Sequence, residues 1–319
     1  MHSISELENL TQLLTPKFED KLHRHLAGIN LACISRLSTQ RLKENALPAI
    51  GLIESVTGPV FERHYKPLYL ANFHGAEREH PDLIVNRLNE KHSQRRRHKF
   101  PYWIIGIRDK SGHAAAAAQF SIFLRGRHAI PYLQYIYVRP QSRRKDLSEV
   151  LHTMVLAIAQ ADAAKHGTDP APQIPFTLCE SAPAIHGSDA ETKAAAAERL
   201  RIHAKSGSQA LMPGLEIGES PLTLLWVLRA NPASPLTIAD ENLGKSIIAS
   251  YYQSLRDEGF PEENIALAES LVEGRLSLDH EFCLIPLHEV TKDMLVDIDQ
   301  GSEADECLPA GSKDRPALV

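Results

Sequence analysis

The stretch YLQYIYVRPQSRRKDLSEVLHTMV, residues 132–155, limits what this chain can fold into more than any other part of it. From Tyr132 to Val138 nearly every position is apolar or aromatic, as in a strand covered on both faces. Pro140 has no N–H to donate and ends the ladder. From Leu147 the apolar spacing changes to Leu147, Leu151, Met154, Ile158 and Ala161, a helical stripe. Arg139, Arg143, Arg144 and Lys145 crowd the turn between them. A helix start has unpaired N–H groups and a positive dipole end, so a basic turn there suits a phosphate or pyrophosphate. An ordinary connection with solvated arginines is the alternative.

Composition narrows the function classes. The net charge of −5 argues against a general nucleic-acid binder, which would carry a basic excess. Cys33, Cys179, Cys283 and Cys307 are scattered without a CxxC pair, a pattern of reduced thiols rather than a disulfide framework or zinc site. None of the 16 histidines has a metal-ligand spacing, so no metal is expected. The first residues, MHSISELENLTQLL, lack the basic start and apolar core of a secretory signal. No apolar run approaches the roughly 18 residues that span a bilayer. A cytoplasmic protein without membrane attachment is the expectation.

Residues 4–47 read as helical, with Leu7, Leu10, Leu13, Leu14, Leu22, Leu26, Ile29 and Leu37 as apolar positions. An aromatic-rich stretch, 61–73, and a short helix, 82–89, follow. The basic run KHSQRRRHK covers 91–99. Tyr102–Asp109 and Ala115–Leu124 read as a hairpin around Ser111-Gly112, although five alanines at 114–118 favour helix by propensity. Beyond the strand–turn–helix come a strand from Ile174 to Cys179 ending at Glu180, a helix over 189–205 terminated by Gly207, and a core strand from Leu222 to Leu228. NPASP, from Asn231, marks a boundary before helices at 238–258 and 261–273 and a short strand, Phe282–Leu287. The resulting class is a mixed α/β fold. Four parts are expected: a helical segment (1–50), a central domain (51–231), a helical appendage (232–296) and a disordered acidic tail (297–319).

With its neighbours in this order, the chain resembles the GNAT superfamily of acyl-CoA-dependent N-acyltransferases over roughly residues 56–229. Val138-x-Pro140-x-x-Arg143-Arg144-Lys145-Asp146-Leu147-Ser148 is similar to the family signature V-x-P-x-x-R-G-x-G-x-G/A. Arg199-x-x-Ile202-His203-x-x-x-Gly207 looks like the A/R-x-x-F-Y-x-x-x-G-F segment, and FHGAEREHPDLI (73–84) is similar to an F-P-x-x-E-R-E-P opening. The resemblance implies a mostly antiparallel sheet flanked by helices and acetyl-CoA as cosubstrate. It implies pyrophosphate binding by Arg143, Arg144, Lys145 and the N–H groups of Asp146, Leu147 and Ser148. The backbone of Ile136 and Val138 would meet the pantetheine end. It also implies direct attack by an acceptor amine in a ternary complex.

Two departures stand out. Asp146 occupies a glycine position, where its carboxylate repels a pyrophosphate unless it points away. His203 replaces the tyrosine that reprotonates the departing thiolate, a task within reach of histidine. Glu180 is the first candidate base for the amine, ahead of Glu77 and Glu79; a strand-end carboxylate facing water is the plain alternative. Gln134 shares a strand face with Ile136 and Val138. The acceptor, small molecule or protein, is open, as is a homodimer. A non-catalytic GNAT-like module is the second reading, and nucleic-acid contact through 91–99 a weaker third.

Overall fold

The structure, a computed structural model, describes residues 20–73, 78–90, 100–125, 128–166, 173–181, 190–216, 223–233, 241–258, 260–276 and 283–290. Among these, residues 20–177 with 230–233 form one compact unit, and the remainder from 178 onward form a second. This division differs from the expected chain-order parts: the helical segment before residue 50 goes with the first unit, and the appendage goes with the second.

The first unit is layered around its strands. Helix α1 (Asp20–Ala27) precedes short turns at Leu31–Ile34, Thr39–Arg41 and Leu42–Ala46, the last a π-helical turn. The helical reading of 4–47 resolves here into short pieces, because Asn30 and Ser38 side chains accept from nearby backbone N–H groups and so compete with the helical ladder. Leu7, Leu10, Leu13 and Leu14 lie outside the described residues. Strand β1 (Leu52–Ser55), unforeseen from sequence, leads to helices α2 (Lys66–Asn72) and α3 (Pro81–Glu90).

Strands β2 (Tyr102–Arg108), β3 (Ala114–Arg125) and β4 (His128–Val138) extend β1 in order, every pair antiparallel. The alanine run is strand, against its helix propensity, because Ala115–Ala118 are fully buried and Ala116–Ala118 are paired on both sides. Helix α4 (Leu147–His166) follows the basic turn. Its apolar surface is wider than the stripe suggested: Val150, Val155, Leu156, Ala157 and Ala159 are buried as fully as Leu151 and Ile158. A helix buried all round, His152 and Thr153 included, needs cover on every side. It packs on β3 and β4 on one side and against α1 on another. The far face of the strands carries a second cluster of Phe61, Tyr65, Tyr69, Ile84, Leu88, Tyr102, Tyr135 and Tyr137.

The second unit takes the end of strand β5 (Phe176–Ser181), helix α5 (Ala190–Lys205) and strands β6 (Gln209–Glu216) and β7 (Thr223–Ala230). Gly207 closes α5 at φ 69°, the left-handed cap. Helices α6 (Glu241–Glu258) and α7 (Glu262–Leu276) and strand β8 (Cys283–Pro286) complete it, with β6 antiparallel to both β7 and β8. Strand β6 was not foreseen, since Pro213 and Gly214 interrupt it at a register shift. The acidic stretch 297–319 lies outside the described residues, and among those described no helix is long and apolar enough to cross a membrane. The fold class is thus mixed α/β with mostly antiparallel strands, as expected.

One close approach tests this packing. A Cβ on Gly106 in β2 would lie 2.2 Å from the buried Tyr65 ring, whose hydroxyl donates to Glu54 at 3.0 Å. Gly106→Ala should therefore destabilise by about 1–3 kcal/mol in denaturant unfolding. A change within about 0.5 kcal/mol would mean the ring moves freely aside.

Candidate functional site

Strand β4 delivers the chain to the basic turn. Pro140–Ser142 forms one 3-10 turn, with Ser142 N–H donating to the Arg139 carbonyl at 2.8 Å. The backbone then alternates in hand. Arg144 has φ 61° and Asp146 φ 54°, whereas Lys145 between them is not positive. Alternation of this kind turns successive N–H groups to one side and makes an anion-binding nest. Among the described residues, none accepts a hydrogen bond from the N–H groups of Arg144, Lys145, Asp146, Leu147 or Ser148. They open at the start of the 20-residue α4, where the helix dipole adds its positive end. Two non-glycine residues at positive φ cost of order 1–2 kcal/mol each.

The cations of the turn divide into two groups. Arg139 is committed: its Nη2 donates to Asp109 at 2.6 Å and to Ser142 Oγ at 3.2 Å. Asp109 also accepts the N–H groups of Ser111 at 2.9 Å and His113 at 3.0 Å, so one carboxylate ties the β2–β3 hairpin to the foot of the turn. Partial burial raises the Asp109 carboxyl, but these donors outweigh it and hold the group below its ordinary value. Arg143, Arg144 and Lys145 are exposed, and none forms an ion pair with a described residue. They are the cations of the turn that remain exposed.

Asp146 points away from the nest. Its carboxylate takes a two-pronged ion pair from Arg41, one prong at 3.2 Å through Nε, and a hydrogen bond from Asn45 Nδ2 at 2.9 Å. The bond to Asp146 pushes the Arg41 guanidinium above its ordinary value. The repulsion expected from an acid at a glycine position is thereby matched by a cation from 105 residues earlier.

On β4, Ile136 and Val138 are half-buried and pair with the small Ala118 and Ala116. Gln134 is the extra residue of a bulge, since Gln119 pairs with Tyr135 and Phe120 with Leu133. Tyr135 and Tyr137 turn into the aromatic cluster, each edge-on to Tyr69. Gln119 joins Tyr137 at 3.0 Å to Tyr102 at 2.8 Å. Glu79, a candidate base, is ion-paired to the buried Arg87, whose guanidinium stacks 4.2 Å over Tyr102. Glu77 lies outside the described residues, as does the basic run 91–99.

Glu180 and His203 belong to the second unit. Glu180 is half-buried at the end of β5, next to Cys179. Burial pushes the Cys179 thiol up to about 12, with Arg229 opposing and Glu180 adding to the shift. His203 sits in the last turn of α5, where burial, then Arg229 and Arg199, lower its ring to about 4. It is neutral at pH 7.

The turn was legible from its residue types, but Arg41, Asn45 and Asp109 were missed. The signal available was indirect: an acid at a glycine position implies a cation somewhere, without saying where. Positive φ at Arg144 was also unforeseen, although the signature has a glycine there too.

No protein-family model and no curated protein matches the sequence. Solved structures that resemble the chain include two N-acetyltransferases. One is the glucosamine N-acetyltransferase region of a fungal multi-domain beta-N-acetylglucosaminidase, with 15% identity and TM-score 0.32, covering 55% of this chain and 20% of that one. Another is the ribosomal-protein alanine N-acetyltransferase of Escherichia coli, with 15% identity and TM-score 0.31, covering 60% and 96% respectively. This chain therefore spans a fifth of the fungal protein's length.

Two pH effects follow from the site. Asp109, depressed in the folded state, contributes stability above its unfolded value near 4, and loses it as pH falls through the lower folded value. Asp109→Asn should lower the unfolding midpoint at pH 7, with the gap to wild type narrowing as pH falls below the ordinary carboxylate range; a gap that stays constant through acid would deny the carboxylate this role. His203 should stay neutral in NMR titration across pH 5.5–8, and a measured pKa above 6 would contradict its burial.

Proposed function

We propose that this protein is an acyl-CoA-dependent N-acetyltransferase that transfers an acetyl group from acetyl-CoA to an amine. The observation that carries this reading is the nest at Arg144–Ser148, open at the head of α4 and flanked by three exposed cations. Backbone N–H groups in that array suit a pyrophosphate, because they supply directed donors without counter-charge. Arg143, Arg144 and Lys145 add the charge. Strand β4 supports the same assignment, since its half-buried Ile136 and Val138 run directly into the turn and suit an extended pantetheine arm.

In the reaction, the neutral amine attacks the thioester carbon, the N–C bond forms and the C–S bond breaks. Glu180 is the proposed group that takes the amine proton, directly or through water. That proton then completes the coenzyme A thiol. A histidine ring held neutral at pH 7 has no imidazolium proton to lend. His203 is therefore proposed as a hydrogen-bond donor to the leaving sulfur rather than as its acid. The same neutrality favours, as a second reading, a coenzyme-binding module that no longer turns over.

Calorimetry with acetyl-CoA tests the first reading, and no heat of binding at millimolar ligand would overturn it. Arg143→Glu should weaken binding at least tenfold, whereas the same reversal at the exposed Arg63 should leave it unchanged. Against an amine panel, Glu180→Gln should lower kcat by about 10²–10⁴ with KM for acetyl-CoA held. Tight coenzyme binding without turnover on any amine would favour the second reading.

A further inference from the structure

Within residues 139–148 Asp146 is the only acid, and its carboxylate is held from the segment that precedes β1. That hold is built rather than incidental. Ser38 Oγ accepts the Arg41 N–H at 3.2 Å and fixes the start of the short helical turn. The Leu47 N–H closes the π-helical turn onto the Leu42 carbonyl, with Asn45 inside it. Leu42 and Ala46 on the same turn are fully buried and anchor it in the core. Arg41 and Asn45 then reach the same carboxylate with three donor contacts, and Asp146 is largely shielded from water, 15% exposed against 53% for Arg41.

We infer that Arg41 and Asn45 are positioning residues for anion capture: they neutralise and turn aside the Asp146 carboxylate, so that a non-glycine residue can serve in the nest. The inference rests on the coenzyme-binding reading of the turn. Its physical content is electrostatic. The Asp146 N–H belongs to the array that faces the anion, while its side chain carries a charge of the anion's own sign a few bonds away. Paired with a guanidinium, that charge is matched; unpaired, it subtracts from what Arg143, Arg144 and Lys145 supply. The segment before β1 thus tunes affinity through Asp146.

The test is a double-mutant cycle on the full chain, read as dissociation constants for coenzyme A and, separately, for inorganic pyrophosphate. Arg41→Ala should weaken both about tenfold. Placed in an Asp146→Asn background, Arg41→Ala should cost less than about twofold, because no repelling charge remains to be held off. A loss equally large in both backgrounds would mean that Arg41 merely anchors its helical turn, and would overturn the inference. So would unchanged affinity in Arg41→Ala. Should Arg41→Ala fail to fold, Asn45→Asp, which sets a like charge against Asp146, should show the same loss and the same relief by Asp146→Asn. Pyrophosphate binding that follows this pattern without coenzyme A binding would keep the inference and sink the coenzyme reading; binding of neither would overturn both.

Discussion

The first unit depends on covering one helix whose middle, residues 150–159, is buried on every side. Val150, Leu151, Met154, Val155, Leu156, Ala157, Ile158 and Ala159 are buried around the full circumference of α4. At about 25 cal/mol per Å² of apolar surface, leaving any face of such a helix wet would cost several kcal/mol. Strands β3 and β4 cover one side, and α1 with the Leu31–Ile34 turn covers the other. The segment before β1 is therefore part of the core, and a helix packed this way has little freedom to slide or rotate. Its first turn is consequently held where the strand hands over to it.

The basic turn is pinned at both ends by opposite arrangements of charge. At its foot a cation of the turn, Arg139, is held by an outside acid, Asp109. At its head an acid of the turn, Asp146, is held by an outside cation, Arg41. Each pair removes one charge from the turn's balance and fixes the backbone beside it. What remains exposed is basic only, Arg143, Arg144 and Lys145, over N–H groups that the fold leaves unbonded among the described residues. Backbone strain at Arg144 and Asp146 is tolerable because both flanks are fixed.

Much of this was legible in the sequence where local chemistry decides. The hairpin turn, β4, the helix after the basic turn and the Gly207 cap follow from turn residues, a continuous apolar run, a helical stripe and one glycine. Legibility ended where distant parts of the chain decide. Strand β1 is four residues long, too short for a periodic signal. The alanine run is strand because Ile104–Ile107 and Tyr135–Val138 lie on either side of it, not because alanine prefers that state. Arg41 and Asp146 are 105 residues apart, and no local pattern links them. His203 illustrates the same limit for chemistry: its residue type suggests a proton donor, while its burial and two neighbouring arginines remove the proton.

Hairpin tips are ordinarily where chains gain and lose residues over evolutionary time at little cost. The tip at Ser111-Gly112 has less of that licence. Asp109 grips the N–H groups on the far side of the bend with the same carboxylate that holds Arg139. One inserted residue would swing that carboxylate away from the arginine at the foot of the basic turn. Loop length there should be inherited as strictly as a core side chain, and a change in it should surface first as a loosened basic turn.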